Sequence, residues 1–175
     1  KSGGNPFFLS QLARHITAYR IDDAASDLPA DLADAVAMQI DDLSADTNEL
    51  LALAAVAGSE FSIHLLAYAA DIPHEDVLPL IQEAIDGKVI RASNAPGTYK
   101  FAHALLRDAL YQRLSTVRRC RLHERIARWL VNLNSNEQDA HLSSISHHFY
   151  EAASLGLIDE AVKFARRAGD SASCR

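Results

Sequence analysis

The one strand signal in this chain lies in its middle, between two long stretches of helical pattern. Residues 88–92, Lys-Val-Ile-Arg-Ala, and residues 98–101, Thr-Tyr-Lys-Phe, are rich in β-branched and aromatic side chains. Between them stands Asn94-Ala-Pro-Gly97, a run of residues that favour turns. Two short apolar runs joined by such a loop predict a β-hairpin. A chain with one hairpin and otherwise helical periodicity is constrained to a mainly α fold.

Helical patterns precede the hairpin. A first apolar pattern follows Pro6 and fades near Arg20, in front of an acidic linker. Shorter helices are then predicted at residues 28–43, 50–57, 62–70 and 73–86. Ser44 and Ser62 are residues of the type that caps a helix N-terminus. The last three of these helices, followed by the hairpin, have the order of elements of a winged helix. We therefore expect a winged helix with one β-hairpin.

Beyond the hairpin the apolar spacing is again helical, through residues 105–114 and then 122–133. A polar break at residues 132–136 precedes two further helices, at about residues 138–154 and 157–172, which meet at Gly156. Small and apolar residues recur through the last helix and favour the close packing of an antiparallel pair. We expect this pair to be the first unit of an antiparallel helical (TPR-like) arm.

The net charge of −6 conceals an uneven distribution along the chain. Residues 21–87 contain fifteen acidic residues and no lysine or arginine, whereas residues 102–132 contain seven arginines against Asp108 and Glu124. A block of one charge is commonly neutralised by a neighbouring face of the opposite charge. We therefore expect the arginines of the second stretch to pair with the acidic half.

Motifs for catalysis and metal binding are missing. The Gly87-Lys88 pair lacks the upstream glycine of a P-loop, and neither HExxH nor GxSxG occurs. His141, His147 and His148 could be imagined as metal ligands, but no cysteine or carboxylate stands at ligand spacing. We expect these histidines to face solvent or cap helices, and we expect no enzyme in this region.

The cysteine content and the hydropathy pattern suggest a compartment. Cys120 and Cys174 have no CxxC spacing, which favours two free thiols in a reducing environment. The longest apolar run, residues 50–57, is far below the roughly 20 residues of a membrane span, and no leader pattern is present. The expected location is the cytoplasm, with no membrane partner.

A winged helix raises the question of DNA binding, because its third helix normally enters the major groove. Here that helix, residues 73–86, carries four carboxylates and no basic residue. Lysine and arginine supply most of the affinity for a duplex, so this helix would repel DNA. The better electrostatic candidates are Arg113, Arg118, Arg119, Arg121, Arg125 and Arg128. A winged helix that binds DNA on its own is therefore the alternative hypothesis.

His103 stands at the junction between the predicted hairpin and the next helix, in the segment Tyr99-Lys-Phe-Ala-His-Ala-Leu-Leu-Arg-Asp-Ala-Leu-Tyr111. A helix N-terminus offers N–H groups without helical partners and a partial positive charge, and a histidine there adds one more donor to an anion. His103 is therefore a candidate phosphate-sensing residue. The alternative is a histidine that caps the helix or packs at the junction.

Several segments together carry a family resemblance. They are Gly3-Gly-Asn-Pro-Phe-Phe8, Leu28-Pro29, Leu43-Ser44, residues 99–111 and Arg121-Leu-His-Glu-Arg-Ile-Ala127. At this spacing they resemble the C-terminal part of bacterial STAND-type AAA-like ATPases, large regulators often attached to a LuxR-type DNA-binding domain or an adenylate cyclase domain. The resemblance covers nearly the whole chain. In that family an ATPase module precedes a winged helix and a helical repeat arm.

The resemblance implies an organisation and two site residues. Residues 1–27 would be the end of the ATPase lid helix and a linker, residues 28–115 the winged-helix domain, and residues 116–175 the helical arm. Gly4-Asn5-Pro6 is similar to an element whose proline packs on adenine. Ala102-His103-Ala104 is similar to a Met-His-Asp motif whose histidine contacts the β-phosphate of ADP, with alanines in the flanking positions. Pro6 and His103 are thus the implied nucleotide-binding residues.

The resemblance implies that this chain is a non-catalytic regulatory and interaction region of an ATP/ADP-switched signalling protein, such as a transcriptional regulator. The full-length parent protein would be an ATPase. Its implied partners are the upstream ATPase module of the same chain and a protein or small-molecule effector on the arm. ADP or ATP would be held by the full-length parent and not tightly by this region alone. The regulatory part of an adenylate cyclase is an alternative.

Overall fold

Helices form most of the structure, a computed structural model that describes residues 32–133 and 135–173. The helices are α1 (Leu32–Asp41), α2 (Ala45–Ala57), α3 (Ile63–Ala70), α4 (His74–Asp86), α5 (Ala104–Gln112), α6 (Thr116–Val131), α7 (Ser135–Ala140), α8 (Leu142–Glu151) and α9 (Ile158–Ser173). The strands are β1 (Glu60–Ser62), β2 (Ile90–Ala92) and β3 (Thr98–Phe101). The predicted mainly α fold is confirmed, and the helix predicted after Pro6 lies outside the described residues.

The sheet has three antiparallel strands in the order β1-β3-β2. The predicted hairpin is confirmed, with Ile90 opposite Phe101 and Ala92 opposite Tyr99. On its other side β3 pairs with β1, which places Phe61 opposite Tyr99. Strand β1 was not predicted, because three residues are too few to display an alternating pattern. Its position depends on the hairpin that it joins.

Strand β2 begins at Ile90, two residues later than predicted, because the turn that closes α4 occupies the residues before it. Lys88 adopts a left-handed conformation with φ 57°. The Lys88 amide donates to the Ile85 carbonyl over 2.8 Å, and the Val89 amide donates to the Ala84 carbonyl over 3.0 Å. These two bonds form a Schellman motif, which reverses the chain out of the helix and into the strand.

Both predicted serine caps are confirmed. The Ser44 hydroxyl accepts from the Thr47 amide over 3.2 Å, and the Ser62 hydroxyl accepts from the Leu65 amide over 3.1 Å. Each bond satisfies one of the N–H groups that a helix start leaves without a partner. Helix α2 begins directly after its cap, five residues earlier than the apolar run alone predicted.

One hydrophobic core runs through the described residues and links the sheet region to the last helices. Helix α6 joins the two, because it packs against α2 and α3 on one side and against α8 on the other. Its buried residues include Leu122, Ile126 and Leu130. Helix α5 packs on α1 and α2, which fixes the segment that follows β3.

The helix predicted at residues 138–154 is divided into α7, α8 and a 3₁₀ turn at Ala153–Leu155. The Gln138 side chain donates to the Val131 carbonyl over 2.7 Å, so α7 is held against the end of α6 and begins inside the predicted polar break. Helices α8 and α9 are antiparallel. The Ser146 hydroxyl donates to the Ala161 carbonyl over 3.3 Å near their connection, and the Phe149 and Phe164 rings stack with centroids 5.6 Å apart.

Two predictions about the whole chain can be compared with the described part. No described helix combines the length and apolar character needed to cross a membrane. Cys120 is a buried free thiol, as predicted, whereas Cys174 lies outside the described residues.

The Glu83 carboxylate ties α4 to the start of α2. It accepts from the Ser44 amide over 2.6 Å, from the Ser44 hydroxyl over 2.7 Å, and from the hydroxyl of Thr47, which is fully buried. The hydrogen bond from Thr47 and the two from Ser44 hold the pKa of Glu83 below its usual value. One carboxylate therefore links two residues of the α2 N-terminus to a helix about forty positions away in sequence.

Replacing Glu83 with alanine should lower the urea midpoint of unfolding markedly, because the buried Thr47 hydroxyl loses its acceptor and α2 loses its anchor. Asp86→Ala is the matched control, since Asp86 lies on the same helix, is exposed and accepts a hydrogen bond from the exposed side chain of Gln82 over 2.9 Å. Urea denaturation followed by circular dichroism at neutral pH measures both. Equal shifts in the two variants would contradict this role of Glu83.

Candidate functional site

His103 lies where the sequence placed it, at the junction of β3 and α5. Strand β3 ends at buried Phe101, and the Ala102 amide donates to the Val89 carbonyl over 2.9 Å, which fixes the exit from the sheet. His103 itself has extended backbone (φ −141°, ψ 143°) and occupies the N-cap position of α5. Its side chain is exposed and makes no capping hydrogen bond to the helix. The expected alternative, a capping histidine, is thereby not the arrangement observed.

Arg107 follows His103 by one helical turn and was not assigned a role from the sequence. Its guanidinium contacts Asp108 over 3.1 Å, and its Nε is buried with no hydrogen-bond partner among the described residues. The signal that could have found it is the spacing of four residues, which brings two side chains to the same side of a helix. An imidazole and a guanidinium beside an N-terminus without a side-chain cap can together bind an anionic oxygen.

Pro6, the other residue implied to contact nucleotide, lies outside the described residues. Its role therefore stays a prediction. In the described part, the groups at this junction that can contact a phosphate are the His103 ring, the Arg107 guanidinium and the N-terminus of α5.

The expected pairing of arginines with the acidic half is confirmed for two of them. Arg113 contacts Asp41 over 2.7 Å, and Arg118 forms an ion pair with Glu49. Arg125 instead donates to the Ala69 carbonyl over 2.8 Å. These three contacts hold α6 and the residue after α5 against the helices that precede the hairpin.

A buried histidine pair, which the sequence did not predict, joins α6 to α8. The Nδ1 atoms of His123 and His148 are 2.8 Å apart, and the Tyr111 hydroxyl lies 3.3 Å from His123 Nε2. His123 and His148 are 2% and 5% exposed. The expectation that His148 faces solvent or caps a helix was wrong, because α8 turns it into the interface with α6. His141 and His147 are exposed, as expected.

The pair is held in the neutral form. Burial above all, together with the nearby His148, His147 and Arg119, lowers the pKa of His123 to about 3. Burial and His147 lower the pKa of His148 to about 4. One ring donates and the other accepts across this contact, so the two Nδ1 atoms satisfy each other at neutral pH. No cluster of three or more potential ligands suited to a metal is present among the described residues.

The histidine pair should make stability fall in mild acid. As the pH drops below about 6.5, the unfolded chain takes up protons that the folded pair does not accept until about pH 4 or below. The free energy of unfolding should therefore fall by up to about 1.4 kcal/mol per pH unit for each histidine. The contribution of the neutral histidine pair to the free energy of unfolding is fully present above pH 6.5.

His148→Gln, which replaces the imidazole with an amide that does not titrate, should reduce this dependence, whereas His141→Gln, at an exposed position, should leave it unchanged. Urea denaturation of the native chain and both variants from pH 7.5 to 4.5 measures the slope. An unaltered slope in His148→Gln would exclude the pair as its source.

No protein-family model matches this chain, and the searches of curated proteins and of solved structures found no match either.

Proposed function

We propose that this chain is a non-catalytic regulatory and interaction region of an ATP/ADP-switched signalling protein of the STAND class, such as a transcriptional regulator. The observation that carries the proposal is the junction between β3 and α5. There an exposed imidazole, a guanidinium one turn later and a helix N-terminus without a side-chain cap all lie together. These groups suit the recognition of a phosphate held by a neighbouring module.

The order of elements supports a winged helix within residues 28–115. Helix α2, strand β1, helices α3 and α4 and the hairpin follow one another, and β3 is central in the sheet. In this interpretation α4 is the third helix and the loop between β2 and β3 is the wing. Residues 1–27 would then be the end of the ATPase lid helix and a linker.

Residues 116–175 fit the start of a TPR-like arm. Helices α8 and α9 form an antiparallel pair whose outer groove is lined by small and apolar residues, with Tyr150 70% and Ile158 58% exposed. Such a groove suits the helix pair of an adjacent repeat, since each repeat buries its apolar face against a neighbour. An effector of the full protein would act on this arm.

His103 and Arg107 would bind β-phosphate oxygens of a nucleotide held mainly by the ATPase module. When bound, a diphosphate supplies negative charge that both side chains can neutralise. These contacts would hold the junction against the module, and their loss would release it. Because α5 packs on α1 and α2, and α6 carries the arm, a movement of the junction would move the arm as well.

The charge of α4 argues against DNA binding by this region alone. Glu75, Asp76, Glu83 and Asp86 lie on this helix without a basic residue. A regulatory region of an adenylate cyclase would use the same junction and differ in its output domain.

Replacing His103 with alanine in the natural gene product that carries the ATPase module should weaken ADP binding by about tenfold, because a charge-assisted hydrogen bond to phosphate contributes roughly 1.5–3 kcal/mol. Arg107→Ala should act in the same direction. Competition with a fluorescent ADP analogue measures the affinity. His141→Ala is the control, since His141 is exposed in the arm. An unchanged affinity in both His103→Ala and Arg107→Ala would refute the phosphate contact.

The 175-residue chain alone should show no measurable binding of ADP at micromolar concentration, because most contacts belong to the module. Isothermal titration calorimetry tests this. Tight binding by this chain would contradict a region that only senses a nucleotide held elsewhere.

The 175-residue chain should also fail to retard a labelled DNA duplex even at low salt, where electrostatic binding is strongest. A gel-shift titration against salt is the measurement. Retardation that weakens steeply with salt would favour the DNA-binding alternative.

A further inference from the structure

Two adjoining cavities form one groove at the place where α2, α3, α4 and α6 meet. The first has a volume of about 400 Å³ and the second of about 780 Å³, and both are lined by Ile72 and Arg125. Volumes of this size are typical of ligand-binding pockets. We refer to the two cavities together as the α3–α4 groove.

The floor of the groove is apolar. Leu50 and Leu53 of α2, Ile72 between α3 and α4, and Leu80 of α4 line the first cavity. Tyr68 of α3, which is 47% exposed, lines the second. The exposed Tyr68 and the half-buried Ile72 and Leu80 therefore offer apolar surface in the groove, and a partner that covers them gains the free energy of burying that surface.

The rim of the groove carries carboxylates that have no side-chain partner among the described residues. Asp46 and Asp76 line the first cavity and Asp71 lines the second. In the described part of the protein, no side chain donates a hydrogen bond to any of these three carboxylates or forms an ion pair with one of them. Their surroundings contrast with those of Asp41, Glu49 and Glu83, which are all paired with residues of the fold.

The positive charge at the groove is smaller. Arg125 lines both cavities, but its guanidinium donates to the Ala69 carbonyl over 2.8 Å. Glu49, which also lines the first cavity, is neutralised by Arg118. His74 of the second cavity is hydrogen-bonded to His64, with 2.8 Å between ring nitrogens. Within residues 32–133 and 135–173, three carboxylates without a side-chain partner therefore lie at the groove beside one guanidinium that already has an acceptor.

We infer that the α3–α4 groove binds a segment of a partner protein that carries lysine or arginine beside large apolar side chains. The apolar residues of the segment would cover Tyr68, Ile72 and Leu80, and its basic groups would pair with Asp46, Asp71 and Asp76. Two cavities that share Ile72 and Arg125 offer room for several side chains of one segment, and the carboxylates repel nucleic acid and anionic lipid. This inference is independent of nucleotide sensing at His103.

The test begins with a phage-displayed library of random dodecapeptides selected on the 175-residue chain. Enriched peptides should be rich in lysine or arginine next to leucine or aromatic residues. A representative peptide is then measured by fluorescence anisotropy at increasing salt, and its affinity should fall as salt screens the carboxylates. The failure of any peptide to be enriched, or enrichment without basic residues, would overturn the inference.

Paired variants locate the binding site. The double variant Asp46→Asn with Asp76→Asn should weaken the selected peptide by about tenfold, since two rim charges are lost. The control is the double variant Asp42→Asn with Asp159→Asn, which also removes two exposed charges, one of them in the first turn of a helix. Neither residue lines the groove, so this variant should change the affinity for the peptide by less than about twofold.

The apolar contribution is measured separately with Leu80→Ala. This variant should weaken the peptide at high and low salt alike, because it removes buried surface and not charge. Thermal unfolding of each variant checks that the chain still folds. Equal affinity of the groove variants and the control would place the peptide elsewhere and overturn the inference.

Discussion

The position of almost every element after the hairpin depends on the packing of helix α6. Its apolar residues face α2 and α3 on one side and α8 on the other, so a single helix belongs to both halves of the core. Arg118 and Arg125 of α6, with Arg113 just before it, contact Glu49, the Ala69 carbonyl and Asp41. These polar contacts set the orientation that the non-directional hydrophobic contacts leave open.

The same contacts explain the surface that is left over. The acidic half contains more carboxylates than the arginines near it can neutralise, and Asp46, Asp71 and Asp76, which have no side-chain partner in the described part of the chain, line the α3–α4 groove. A fold that needed only internal charge balance would not concentrate the surplus around the half-buried Ile72 and Leu80 and the exposed Tyr68. A basic, amphipathic partner segment accounts for both properties at once.

Histidines occur in two contrasting environments that suit different roles. His123 and His148 are buried, paired and held neutral, so their contribution is to the stability of the α6–α8 contact. His103 is exposed at the start of a helix whose first amides receive no side-chain cap, beside a guanidinium with a buried nitrogen that has no partner in the described part. The second environment is the one on which the proposed phosphate contact depends. The short connection between β3 and α5 holds His103 in place there.

Local chemistry in the sequence determined the mainly α fold, the hairpin, the caps at Ser44 and Ser62 and the position of His103, because each depends on residues within a few positions of one another. Only the tertiary structure decided the third strand, the Glu83 link to Ser44 and Thr47, the partner of His148 and the α3–α4 groove. Each of these requires segments about twenty-five or more residues apart to meet. Such meetings depend on how the amphipathic helices pack, and periodicity defines the apolar face of a helix without naming the element that covers it.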